Sequence, residues 1–340
     1  MAIFTDNRID TEIVACEGYD VSVGGNYDLI MESYADDFAV VEAMHAFDMA
    51  ELELMKESSF DAQAASPVLE ASLKDIWQKI KAAFVKLGQR IMAFFKSVID
   101  YINSLVMSGA DFAKKYEERL NKLDLKEFYY DMYDYSNVPS EFTAGTSKLD
   151  SISATVSGNL DRIKNIDITK DTAGMELESE RNKLKEDNKR IVAKAYNDLA
   201  GVSDSEKLEE ALFNKFRGTG KITRHKITSV SEFVKTLADT KKTQDAIKAA
   251  KTSVDDRFKK IEKLINAAAA VAEAKGKNGS ASVVSNGAKQ ASVMRDQISA
   301  FSSVQTMFTK YINAWSKAVS ERTRVYKSVC FKAMQHKNPK

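Results

Sequence analysis

Residues 73–105 read LKDIWQKIKAAFVKLGQRIMAFFKSVIDYINSL. Leu73, Trp77, Ile80, Phe84, Leu87, Ile91, Phe94, Val98, Ile102 and Leu105 alternate steps of four and three, which places them on one stripe of an α-helix. The opposite face is read as basic, with Lys74, Lys79, Lys81, Lys86, Arg90 and Lys96 against only Asp75 and Asp100. The pattern is expected to end near Ser108-Gly109, because glycine terminates helices readily, and a short helix over 111–122 is expected to follow. Three uses of the stripe are open. It can pack into a helical core, or dock on a second copy as a coiled coil does. It can also lie on a bilayer, since a Lys-rich face opposite Trp77, Phe84, Phe94 and Phe95 is the composition of an interfacial helix.

Downstream, residues 123–135 (LDLKEFYYDMYDY) alternate and are rich in aromatics, as strands are. A second candidate strand, 221–229 (KITRHKITS), follows Gly218-Thr219-Gly220, read as a turn. A lone strand is unstable, so the two are expected to pair as a small sheet on a helical body. Helices are expected at 147–164, 173–200 and 204–216, then over 230–273 with a break near Asp239-Thr240. After a polar loop at 275–282, a last helix is expected over 285–335. It carries Phe301, Val304, Phe308, Tyr311, Trp315, Val319, Tyr326 and Val329 near helical spacing. Two long helices joined by one polar loop predict an antiparallel hairpin.

Upstream, 36–57 reads as a helix with Phe38, Val41, Met44 and Phe47 at regular spacing. Residues 58–67 read as a linker closed by Pro67, and 1–34 as a weakly ordered segment or an extended arm. Only three prolines and fourteen glycines punctuate 340 residues, so few helix breakers are present. The expected fold is mainly α. It is an elongated multi-helix bundle with a long C-terminal helical hairpin over 230–335 and a small two-stranded β element. An arm, 1–66, precedes this body, 67–340.

The formal charge of +1 conceals two opposed parts. Residues 1–70 hold 16 Asp/Glu and 2 Lys/Arg, a net of −14, whereas residues 71–340 hold 33 Asp/Glu and 48 Lys/Arg, a net of +15. An acidic arm joined to a basic body can screen that body from acidic partners. The basic part suits a sequence-independent, salt-sensitive attraction to phosphate, and no DNA-reading module accompanies it.

Cys16 and Cys330, one near each end, make no disulfide framework and read as reduced thiols of a cytosolic protein. His45, His225 and His336 are scattered, so no metal site is expected. No cofactor is expected either. There is no phosphate loop ending in Lys-Ser/Thr, no paired cysteines, no HExxH and no nucleophile elbow, so the expectation is a protein without catalytic activity. No apolar stretch of about 18–20 residues is read in the sequence, so no conventional membrane span is expected, and the first residues lack the pattern of a signal peptide.

Several segments occur in a suggestive order. They are the acidic arm, LKDIWQKIKAAF (73–84), DFAKKYEER (111–119), LEEALFNKFRG (208–218) and RVYKSVCFKA (324–333). This run resembles virion structural proteins of large tailed bacteriophages that reside inside the head. The resemblance covers most of residues 70–335 and carries no catalytic motif. It implies a protein made in the cytoplasm of a bacterial host and located in the head interior, with other virion proteins, nonspecific DNA, a membrane or further copies of itself as partners. It also implies an N-terminal propeptide removed by a maturation protease, typically after a Glu preceded two positions earlier by an aliphatic or small residue. Val68-Leu69-Glu70, before Ala71, fits that pattern at the place where the charge changes sign. Ile30-Met31-Glu32, Val40-Val41-Glu42 and Ala15-Cys16-Glu17 fit it as well. Two alternatives stand beside this reading: a membrane-active helical protein ejected with the genome, and an intracellular protein whose acidic arm binds host factors as a nucleic-acid mimic.

Overall fold

The computed structural model describes residues 66–203, 207–277 and 279–336, with side chains from Leu73 onward. Seven α-helices and one two-stranded sheet make up these residues. They are α1 (Ser66–Asn121), β1 (Tyr129–Met132), α2 (Val138–Lys164), α3 (Ala173–Ala200), α4 (Leu208–Phe216), β2 (Thr223–Lys226), α5 (Ser231–Ala238), α6 (Thr240–Gly276) and α7 (Ala281–Gln335). The multi-helix bundle with a long C-terminal helix and a small β element is therefore the fold the sequence predicts.

Four helices form the body. α1 and α2 each pack against both α6 and α7. Paired contacts fix their directions. Lys81 meets Glu273, and the ring of Phe258 lies against Gly88, so α1 and α6 run antiparallel. Phe95 meets Phe308, and Lys327 donates to Ser108, so α1 and α7 run parallel. Asn159 donates to Gln297 near one end of α2, and Phe142 stacks on Trp315 near the other, so α2 opposes α7. α3 and α4 cover the outer side of α7, which is why α7 buries residues all round its circumference.

The stripe read from the sequence is the seam of this bundle. Leu73, Trp77, Ile80, Phe84, Leu87, Phe94, Val98 and Ile102 are buried, and Ile91 and Leu105 are partly buried against them. Phe84, Phe258 and Phe301 bring α1, α6 and α7 together, with centroids 5.3, 6.1 and 5.1 Å apart. Leu73 sits at the mouth of the α6–α7 hairpin. A Cβ on Gly276 or Gly287 would lie 3.1 or 3.2 Å from its methyl carbons, so both glycines make room for it. Fully burying such side chains contributes about 1.5–3 kcal/mol each, and the hydrophobic seam is the main reason these helices associate.

Polar residues on α7 satisfy backbone groups that a helix end leaves open. Gln290 Nε2 donates to the Ile163 carbonyl in the last turn of α2 at 3.0 Å. Asn286 Nδ2 donates to the Ile168 carbonyl, also at 3.0 Å. Buried amides on α7 thus fix where α2 stops and how the chain turns into α3.

The structure corrects several boundaries. α1 does not stop at Ser108-Gly109; it continues to Asn121 as one helix, so 111–122 is no separate element. Gly109 is buried mid-helix, where a Cβ would lie 3.3 Å from the Leu237 carbonyl and 3.4 Å from the Thr323 methyl. It is glycine for close approach to α5 and α7, and termination plays no part. Pro67 does not close a linker but is the second residue of α1, where its missing N–H costs nothing; residues 58–65 of that expected linker, and the expected helix at 36–57, lie outside the described residues. α2 starts at Val138, nine residues before the expected 147, with Pro139 in its first turn. α4 starts at Leu208 rather than 204. The 230–273 segment is two helices, broken at Asp239 as expected.

Both strands are shorter than expected. β1 spans four residues of 123–135 and β2 four of 221–229, paired antiparallel with Tyr129 opposite Lys226 and Met132 opposite Thr223. Gly218 and Gly220, at φ of 57° and 67°, form the tight turn before β2. The sheet closes one end of the bundle over a second apolar cluster that includes Phe112, Phe128, Ile227, Leu237 and Cys330.

Candidate functional site

The basic residues predicted on α1 do not share one face. Successive helical residues turn by about 100°, which puts Lys79, Lys86 and Arg90 on one flank of the buried stripe and Lys74 and Lys81 on the other. Lys96 points outward, away from the seam. Lys79 pairs with Asp75 at 2.9 Å and Lys81 with Glu273 at 3.7 Å. Lys74, Lys86 and Lys96 are exposed and Arg90 is half-buried. Among the described residues no ion pair within 4 Å holds any of these last four. The reason for the split is geometric: the seam is wide, because α1 contacts both α6 and α7, and its cations are pushed to both edges.

A basic row that the sequence reading missed lies on α6. Lys241, Lys248, Lys259 and Lys263 are all exposed and lie within about 60° on that helix. Lys259 is bound by Asp255 at 2.6 Å, and that carboxylate raises the lysine pKa. The row spans about 33 Å along the axis. The signal is present in the sequence as steps of seven, eleven and four residues, all near whole numbers of helical turns, but acidic neighbours such as Asp245 and Asp256 obscure it.

The predicted stripe residues Trp77, Ile80, Phe84, Leu87 and Phe94 are in the core, and Ile91 is partly buried beside them. In this packed state they are not open to a bilayer or to a second copy. α1 nonetheless carries more apolar surface than its seam uses. An 18-residue window of α1 has mean hydropathy 1.2 and is only 28% buried, so this helix is long and apolar enough to cross a membrane by length and composition. Val85 and Met107 on α1 are exposed. The expectation that no apolar stretch of this length exists is corrected by this window, by length and composition only.

Of the candidate processing positions, Glu70 and Ala71 fall within the early turns of α1. Glu17, Glu32 and Glu42 lie outside the described residues. The Glu70–Ala71 bond, expected just beyond a linker at 58–67, is in helix, and a protease would have to unwind the first turns of α1 to reach it.

One feature had no signal in the sequence. A cavity of about 430 Å³ opens where α5 bends into α6, beside α7 and the chain between β1 and α2. Tyr135, Phe233 and Tyr326 form an aromatic wall, with Tyr326 edge-on to both others at 4.8 and 6.1 Å. Arg322 of α7 also lines the cavity and is only 7% exposed. Burial pushes its guanidinium below the usual range, and Tyr326 and Asp239 oppose that shift. Asp239 is already engaged as the N-cap of α6, accepting from the Lys242 backbone N–H at 3.4 Å. Among the described residues, no ion pair within 4 Å and no hydrogen bond reaches Arg322. The lining comes from three separate stretches of chain, 135–139, 232–243 and 322–326, which no local pattern could have joined.

Among the described residues no three His, Cys, Asp or Glu side chains are gathered as a metal site requires. His225 lies on β2 with its ring 2.7 Å from the Thr223 hydroxyl. No family model, curated protein or solved structure matches the chain.

Proposed function

We propose that this chain is a non-enzymatic structural protein of a phage virion, an internal head or core component whose acidic N-terminal arm is removed to leave a basic, DNA-associated helical body. The observation that carries this reading is the charge division at residue 70, −14 before it and +15 after it. Before cleavage the arm offsets the attraction of the body for nucleic acid during assembly. Afterwards the exposed lysines of α1 and α6 bind packaged DNA through phosphates, without sequence preference.

Two measurements test the reading. The intact mass of the protein recovered from mature particles is expected to begin at Ala71. Absence of the protein from particles would end the proposal. In vitro, the 71–340 form is expected to bind an arbitrary DNA duplex at least tenfold more tightly than the full chain at about 50 mM salt, with log K falling linearly in log salt. Equal affinity of the two forms would refute the role given to the arm.

One observation favours a second reading, membrane association through α1. It is the apolar 18-residue window that the bundle buries only in part. That use requires α1 to leave the seam, and flotation of the 71–340 form with anionic liposomes tests it. A protein that stays at the bottom of the gradient excludes it.

A further inference from the structure

We infer that the cavity at the α5–α6 bend is a binding site for a small organic oxyanion, a phosphate or carboxylate borne on a flat apolar group, with Arg322 as the anion-binding residue. Three observations converge on it. The cavity, about 430 Å³, falls in the range of small-molecule pockets. Phe233 and Tyr326, both partly exposed and backed by the buried ring of Tyr135, offer aromatic surface to a flat group. Arg322 supplies a buried cation that no carboxylate within 4 Å neutralises.

The charge around the cavity supports the same class of ligand. Its charged lining is Arg322, Lys235 and Lys242 against Glu232 and Asp239. One positive charge is left over, and a single oxyanion would balance it. Asp239 is committed to capping α6. The guanidinium presents a planar fork of N–H donors that matches phosphate and carboxylate oxygens in pairs. Burial opposes the charged guanidinium, Asp239 and Tyr326 offset part of that cost, and a bound oxyanion would offset more of it. Ser136, Thr236 and Thr243 add hydroxyls around the same space.

The test uses the full chain, with phenyl phosphate and benzoate as probes and inorganic phosphate as the control without a flat group. Titration followed by calorimetry or by NMR is expected to show saturable binding of at least one aryl probe. Affinity for inorganic phosphate is expected to be at least tenfold weaker. Arg322→Met is expected to abolish binding and to raise the melting temperature of the ligand-free protein, because the buried charge is gone. Should that variant fail to fold, Arg322→Lys decides instead: about a tenfold loss of affinity supports the site, and unchanged affinity overturns it. The rim variant Lys242→Gln is expected to weaken binding a few-fold with the fold intact. No saturable binding of either aryl probe at millimolar concentration overturns the inference. A folded Arg322→Met protein that binds as before, or melts lower than wild type, overturns it too.

Discussion

Gly145 decides how closely α2 approaches α7. A Cβ at this position would collide with the Tyr311 ring, whose hydroxyl donates to the Glu141 carbonyl one turn earlier on α2. Tyr311 is 2% exposed and edge-on to Phe216 at 5.4 Å, so its ring has nowhere to move. Gly145→Ala is expected to destabilise the fold by about 1–3 kcal/mol despite its better helix propensity, the range for overpacking a core. Urea unfolding measures it, and a stabilised variant would show that Tyr311 yields. Cys330 gives a prediction of a different kind. Burial pushes its thiol up to about 12, against about 8.5 for an unfolded cysteine. The fold favours the protonated thiol, so its contribution is complete below about pH 8.5 and is lost as pH rises toward 12. Tyr135, Tyr311 and Tyr326 are also raised, chiefly by burial, and act with the same sign at higher pH. Stability is expected to fall on the alkaline side, and a disulfide reagent at pH 8 is expected to leave Cys330 unmodified until the protein unfolds. Rapid labelling of Cys330 in the folded protein would contradict its burial.

Helical elements were legible in the sequence in proportion to how local their signals are. The α1 stripe was readable because a core contacted by two partner helices demands an apolar residue every three or four positions. The α3 boundaries matched because Gly201, at φ of 68°, is a left-handed cap that glycine adopts without strain. The same rule failed at Gly109, since a glycine that admits a neighbouring backbone looks identical in sequence to one that ends a helix. The start of α2 was missed because Thr143-Ala144-Gly145-Thr146-Ser147 has loop composition, and only Tyr311, distant in sequence, explains why it is helical. The strand over 123–135 was read too long. Its aromatics continue past Met132, but Tyr135 leaves the sheet to pack on Tyr326. The candidate site follows the same logic: single-helix lysines can be named from the sequence, whereas Arg322 and its cavity require three distant segments to be brought together. Continuity of α1 can be tested directly. Amides of residues 106–112 are expected to exchange as slowly as those of 94–105, and a fast-exchanging stretch at 108–110 would restore the two-helix reading.

Across the whole molecule, α1 and α7 set the length. A 56-residue helix extends about 84 Å, and the 55-residue α7 runs beside it in the same direction. One end of the body carries the α6–α7 loop and the start of α1. The other carries the sheet, the end of α1 and the end of α7. The two ends differ in kind: at the first, Leu73 wedges between two glycines, and at the second a separate apolar cluster is closed by the small sheet.

The parallel course of α1 and α7 also makes the molecule a vector. The acidic N-terminal sequence joins the body where α1 begins, and the chain from residue 71 on is net basic. Opposite charge on the two parts is expected to make full-length chains attract one another in dilute buffer. Cutting the acidic part away turns a self-attracting chain into a self-repelling one, so one proteolytic event would convert a protein that gathers with its own kind into one that disperses along a polyanion. Sedimentation at low and moderate salt is expected to show concentration-dependent association of the full chain that salt abolishes, and none for the 71–340 form. Identical behaviour of the two forms would refute that polarity.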